Sequence, residues 1–152
     1  MSIFKKEKGY TLIELLVVIA IIGILASVVL AALGSARQKG ADASIKTTLG
    51  QLKNESEIYY NSDLVFGGTV DTNITASCTV GFLAGEGRSS EILAKAQADS
   101  TNTPTCYIGK EVWAVHIPFK TPGAGNWCVD YQGTAVIGTA GNTGVCTATP
   151  TP

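Results

Sequence analysis

The chain has 152 residues, of which 45% are hydrophobic and 15% charged, and it carries a formal net charge of -1 at pH 7. That length holds one small domain beside one long apolar segment, and not two independent cores. So mild an acidity is not the electrostatic footprint of a general nucleic-acid binder, and nucleic acid is an unexpected partner.

The first element is a short basic leader, with Lys5, Lys6 and Lys8 set against Glu7. Losing residues 1–9 removes three lysines and one glutamate, which moves the net charge from -1 to -3. From Leu15 to Ala36 the chain is then uncharged. A run of that kind is long enough to span a bilayer, whose hydrocarbon core takes ~20 apolar residues. Basic residues immediately before it predict a cytoplasmic leader and an exported C-terminal portion. Glu14 lies inside the front end of the span, where a charged side chain costs roughly 2.5–3.5 kcal/mol. A chain that accepts such a cost has a partner for the carboxylate. An ordinary signal peptide fits poorly: the run is too long, and Ala31-Ala32-Leu33-Gly34-Ser35-Ala36 is only an approximate cleavage site. An uncleaved signal anchor is the plainer structural alternative.

Lys8-Gly9-Tyr10-Thr11-Leu12-Ile13-Glu14 and the apolar run behind it resemble the class III signal of type IV prepilins. The motif covers Lys5 to Ala36, about a fifth of the chain. The resemblance implies a single-pass inner-membrane precursor that is clipped and then polymerised into an extracellular pilus. Its implied partners are further copies of itself and related pilins, a prepilin peptidase, an inner-membrane assembly platform and the membrane. The peptidase would cut between Gly9 and Tyr10 and methylate the new amino group; Gly9 has no side chain to obstruct a protease. Tyr10 stands where the family more often has Phe. Glu14 would pair with the cationic N-terminus of an adjacent subunit and so set the axial register, because an unpaired buried charge is costly. Many family members carry a proline at the position of Ala31, so no proline kink is expected here.

Helical character is expected to continue to about Tyr60, since Ile45, Leu49, Leu52 and Tyr59 recur on one face. A helix from Tyr10 to Tyr60 would measure ~75 Å. Lys39, Lys46 and Lys53 recur every seven residues and read as a solvated face, with a filament contact as the sharper alternative. Gly23, Gly34, Gly40 and Gly50 interrupt the helix, each costing roughly 1 kcal/mol where exposed. Ala20, Gly23 and Ser27 could instead mark a close helix–helix contact. Residues 61–105 read as a Gly/Ser/Thr-rich connector, with a short strand at 69–75 and one helix from Ser89 to Ala96 behind a serine cap. Asn73-Ile74-Thr75 matches a glycosylation sequon, a tripeptide common by chance.

The last third reads as β-structure. Residues 111–117 would put Trp113, Val115 and Ile117 on one strand face. A turn at 121–126 leads to a strand at 127–131, and Ala135-Val136-Ile137 adds another after the Gln132-Gly133 turn. The expected fold class is therefore α+β, a long N-terminal helix packed against a small antiparallel sheet. The expected division is a leader at 1–9, a transmembrane or filament-core helix at 10–36, a helix extension at 37–60 and a globular head at 61–152.

Four cysteines in an exported portion read as two disulfides, with four buried thiols as the alternative. Three pairings are open. Cys78–Cys106 with Cys128–Cys146 is favoured because the second bridge would hold down a Gly/Thr-rich tail with few apolar side chains. No catalytic constellation is legible: His116, the single histidine, reads as a surface or sheet-edge imidazole. The cysteine spacings are not those of a zinc site. A resemblance to the major pseudopilins of type II secretion, which typically bind calcium through acidic residues in a C-terminal loop, fails here, because the chain from Gln132 to Pro152 has no acidic side chain and Asp130 stands alone. No enzyme activity, metal or cofactor is expected. The leading reading is a structural subunit of a type IV pilus-like filament; the alternative is a minor or competence pilin whose head grips DNA or a surface through Trp113, Trp127 and Tyr131.

Overall fold

The computed structural model describes residues 9–63, 66, 78–79, 81–84, 87–141 and 143–149. Residues 1–8 of the leader expected at 1–9, the strand expected at 69–75 and the sequon at Asn73 lie outside them. The chain divides into two compact units, Met1–Arg37 and Gln38–Pro152. Helix α1, Leu12–Asp63, supplies the described body of the first unit and continues as the opening helix of the second. The four glycines do not end it. In the first unit its apolar side chains from Leu12 to Leu33 are all exposed. A helix apolar all round with nothing covering it needs a lipid or protein environment.

In the second unit, α1 buries Ile45, Leu49, Leu52 and Ser56, each at 0% exposure. Their spacings of four, three and four residues make one helical stripe. That stripe packs into a single core with Trp113, Val115 and Ile117 from the sheet and with Ile92, Leu93 and Ala96 from α2, Arg88–Ser100. A chain of tilted aromatic contacts runs through this core, from Tyr60 to Phe66 to Phe82 to Trp113. Backbone bonds pin it, with the Phe66 amide donating to Lys110 and the Phe82 amide to Phe66.

Among the described residues, the sheet has five antiparallel strands in sequential order: β1 Thr105–Ile108, β2 Trp113–Pro118, β3 Asn126–Asp130, β4 Ala135–Ala140 and β5 Cys146–Ala148. Alternation assigns its faces. Cys106, Trp113, Val115, Ile117 and Val129 join the core, whereas Ala114 and Cys128 join a smaller cluster on the other face with Ala140 and Cys146. The two disulfides follow the faces: Cys78–Cys106 lies on the core side and Cys128–Cys146 on the outer side. These are the favoured pairings. A Cys106–Cys128 bridge would have to pass through the sheet.

Several expectations need correction. No serine caps α2. Its N-cap is Gly87, without a side-chain bond, because Ser89 falls on the buried face and its hydroxyl donates to the Phe82 carbonyl. The helix also runs on to Ser100, whose hydroxyl donates to the Pro118 carbonyl. The lysine stripe is exposed at Lys39 and Lys46, as a solvated face would be, and half-buried at Lys53, but two of the three also have partners in the head. The Lys46 ammonium lies 5.3 Å from the Phe119 ring centre and 5.0 Å from that of Trp127. Lys53 donates to the Tyr131 carbonyl and to Glu57. This flank of α1 faces the loops of the sheet, where Asp42 Oδ1 also accepts from the Lys120 amide at 2.7 Å. The opposite flank faces α2, through Ser44 to Asp99 (2.6 Å) and Arg88 to Glu55 (3.3 Å).

Strands β1 and β5 escaped the sequence reading. They have four and three residues, too few for alternation to register. β5 reaches β4 only because position 138 is glycine: a Cβ there would stand 1.9 Å from the Thr147 carbonyl oxygen.

Candidate functional site

The residues that the prepilin resemblance singles out meet at the start of α1. Gly9, Tyr10 and Thr11 are non-helical and exposed, and the helix begins at Leu12. Tyr10 is 89% exposed, and among the described residues a Cβ on Gly9 would meet no atom within 4 Å beyond its own chain neighbours. The helix starts there for a definite reason. Thr11 and Glu14 form a capping box: the Thr11 hydroxyl accepts from the Glu14 amide at 3.3 Å, and Glu14 Oε2 accepts from the Thr11 amide at 2.9 Å. The Thr11 hydroxyl also donates to the same oxygen, at 2.8 Å. A carboxylate at the third helical position further complements the positive end of the helix dipole.

The carboxylate is therefore held, but by one oxygen only. Both bonds use Oε2, and among the described residues Oε1 takes none. Thr11 is the residue that the sequence reading missed. The signal was present, since Thr-x-x-Glu before an apolar run is the capping-box pattern. Behind Glu14 runs the one helix, among the described residues, that is long and apolar enough to cross a membrane, with a mean hydropathy of 3.1 in its best window.

The other singled-out residues have structural partners in the head. His116 is not at a sheet edge: β2 is an interior strand, and His116 Nδ1 accepts a hydrogen bond from the Ala140 amide at 3.0 Å. Partial burial holds its pKa below the ordinary imidazole value. Asp130 is fully buried and spends both oxygens on backbone amides. Oδ1 accepts from Gln132 (3.0 Å) and Thr134 (2.9 Å), and Oδ2 accepts from Cys146 (3.0 Å). Trp113 is fully buried in the core and so cannot stack on a ligand, while Trp127 lies half-buried beneath Lys46.

The family signature described as the prokaryotic N-terminal methylation motif matches residues 4–30. The chain is also 30% identical over 116 residues to the type IV wide pilus major component PilA4 of Thermus thermophilus, across 76% of this chain and 86% of that protein. No solved structure matches it. A capped, uncovered apolar helix and an α+β head that opens with the same helix define a pilin-like protein, a structural class and not a class of enzymes. The likeness to PilA4 over most of both chains makes the membership specific: this chain belongs to the type IV pilin family.

Proposed function

We propose that this chain is a membrane-anchored prepilin, cut after Gly9 by a prepilin peptidase, N-methylated at Tyr10 and assembled into a pilus by way of an inner-membrane platform. Residues 1–9 act as leader and 10–36 as membrane anchor and later filament core. Residues 37–60 support the head, which is formed by 61–152. The observation that carries this reading is the half-used carboxylate of Glu14 at the front of a fully exposed apolar helix. Oε1 is available to the amino terminus of a neighbouring copy, and in low dielectric such a pair is worth far more than in water. A subunit one step out of register leaves that charge unpaired, which is strongly unfavourable. The exposed apolar side chains exchange lipid for the helices of neighbouring subunits, with Ala20, Gly23 and Ser27 allowing close approach.

Mass spectrometry of the native N-terminus tests the processing. The expected product begins at Tyr10 and carries a methylated amine. A product beginning near Ser35 or Ala36 would show conventional signal cleavage and overturn the proposal.

A further inference from the structure

Among the described residues, Gly141 and residues 143–145 lie between the two strands of the β4–β5 hairpin, and Ala140 and Cys146 beside them join the cluster on the outer face of the sheet. Gly144, at φ +72, packs so closely on Val112 that a Cβ would come within 2.9 Å of it. The hairpin has little apolar substance of its own, so its attachment rests on specific fasteners. There are three. The Cys128–Cys146 bridge ties β5 covalently to β3. Asp130 Oδ2 accepts from the Cys146 amide, and His116 Nδ1 accepts from the Ala140 amide. Ala140 and Cys146 are directly opposite one another in the β4–β5 ladder, so the two side chains hold the two members of one cross-strand pair.

We propose that His116 is an acid-sensitive fastener of this C-terminal hairpin, which loosens in mildly acidic surroundings while the disulfide keeps it tethered. The chemistry follows from the ring nitrogens. Only a neutral imidazole offers a lone pair, and a protonated one has two N–H donors and no acceptor. Protonation thus turns the Ala140 contact from a bond into two opposed donors. The strands around His116 bring two other titratable side chains to the same face, Tyr107 on β1 and Asp130 on β3, while β4 and β5 bring none. Asp130 is already committed to three amides, so it is not free to bind an imidazolium. Because burial lowers the imidazole pKa from its ordinary 6.5, the unfolded chain takes up the proton first. Stability from this contact is complete above pH 6.5 and drains away as pH falls from there through the folded-state value.

Amide hydrogen exchange on the full-length, oxidised chain in detergent micelles tests this. Protection of Ala140, corrected for intrinsic rates, should fall about fivefold between pH 7.5 and 5.0, as expected for loss of one ordinary hydrogen bond. Protection of Val115, in the core, should hold. His116→Asn places an oxygen acceptor where Nδ1 stands and should make Ala140 protection independent of pH. The proposal fails if wild-type Ala140 shows no such fall, if Val115 loses protection equally, or if His116→Asn shows the same pH dependence. Should that variant not fold, the wild-type comparison of Ala140 with Val115 still decides.

Discussion

At the scale of single residues, Glu14 caps the helix and is proposed to have a second duty that a substitution can separate from the first. Its carboxylate closes the capping box with Thr11, and its charge is free to face a partner. Gln can close a capping box but has no charge, so Glu14→Gln should keep the helix start at Leu12, insert normally and still assemble few or no filaments. Glu14→Ala loses both functions, yet membrane insertion should be unimpaired because an intramembrane charge has gone. Counting filaments by electron microscopy beside a membrane-fraction immunoblot checks both variants; wild-type filament numbers for Glu14→Gln would mean that capping is the whole role. Asp130 is the other residue with a disproportionate part. Asp130→Ala strands three amides, one of them on Cys146, and should cost about 3 kcal/mol or more by thermal unfolding. Its importance was invisible in the sequence, where it stood as a lone acid within an expected strand. Only the fold brings Cys146 back to it across 16 residues.

The elements differ in how legible they were. The head portion of α1 announced itself through Ile45, Leu49 and Leu52, because a stripe of that length has one helical solution. The central strands were equally plain, with Trp113, Val115 and Ile117 on one face. β1 and β5 were not, since they exist through pairing and not through pattern: β5 depends on Gly138, Asp130 and a disulfide. The α2 cap was misread because Ser89 competes for two tasks and burial wins. Two stability predictions belong at this scale. Leu49→Ala, at a fully buried position, should cost about 2–5 kcal/mol. Replacing Cys128 and Cys146 by Ser opens a loop of sequence separation 18 and should cost about 3 kcal/mol on the chain-entropy argument. Chemical denaturation of the oxidised full-length chain measures both, and unchanged midpoints would show that the core stripe or the bridge contributes nothing.

For the whole molecule, the sequence signal and the physical burden lie in different places. The motif that reveals the family occupies the first unit, whose apolar side chains are uncovered. Among the described residues, the buried core, both disulfides and all five strands belong to the second. The first was legible because a charge inside an apolar run is a local anomaly that needs no folding to notice. Much of the second was not, because its decisive contacts join residues far apart in the chain, such as Lys53 to Tyr131 or Asp42 to Lys120. An uncovered apolar helix is a demand for partners, which copies of the same helix are proposed to meet. Mass spectrometry of surface filaments sheared from cells that produce this protein tests that claim most directly. The filaments are expected to contain this chain, beginning at an N-methylated Tyr10. Filaments devoid of it, with the protein recovered only from the membrane fraction, would contradict the account.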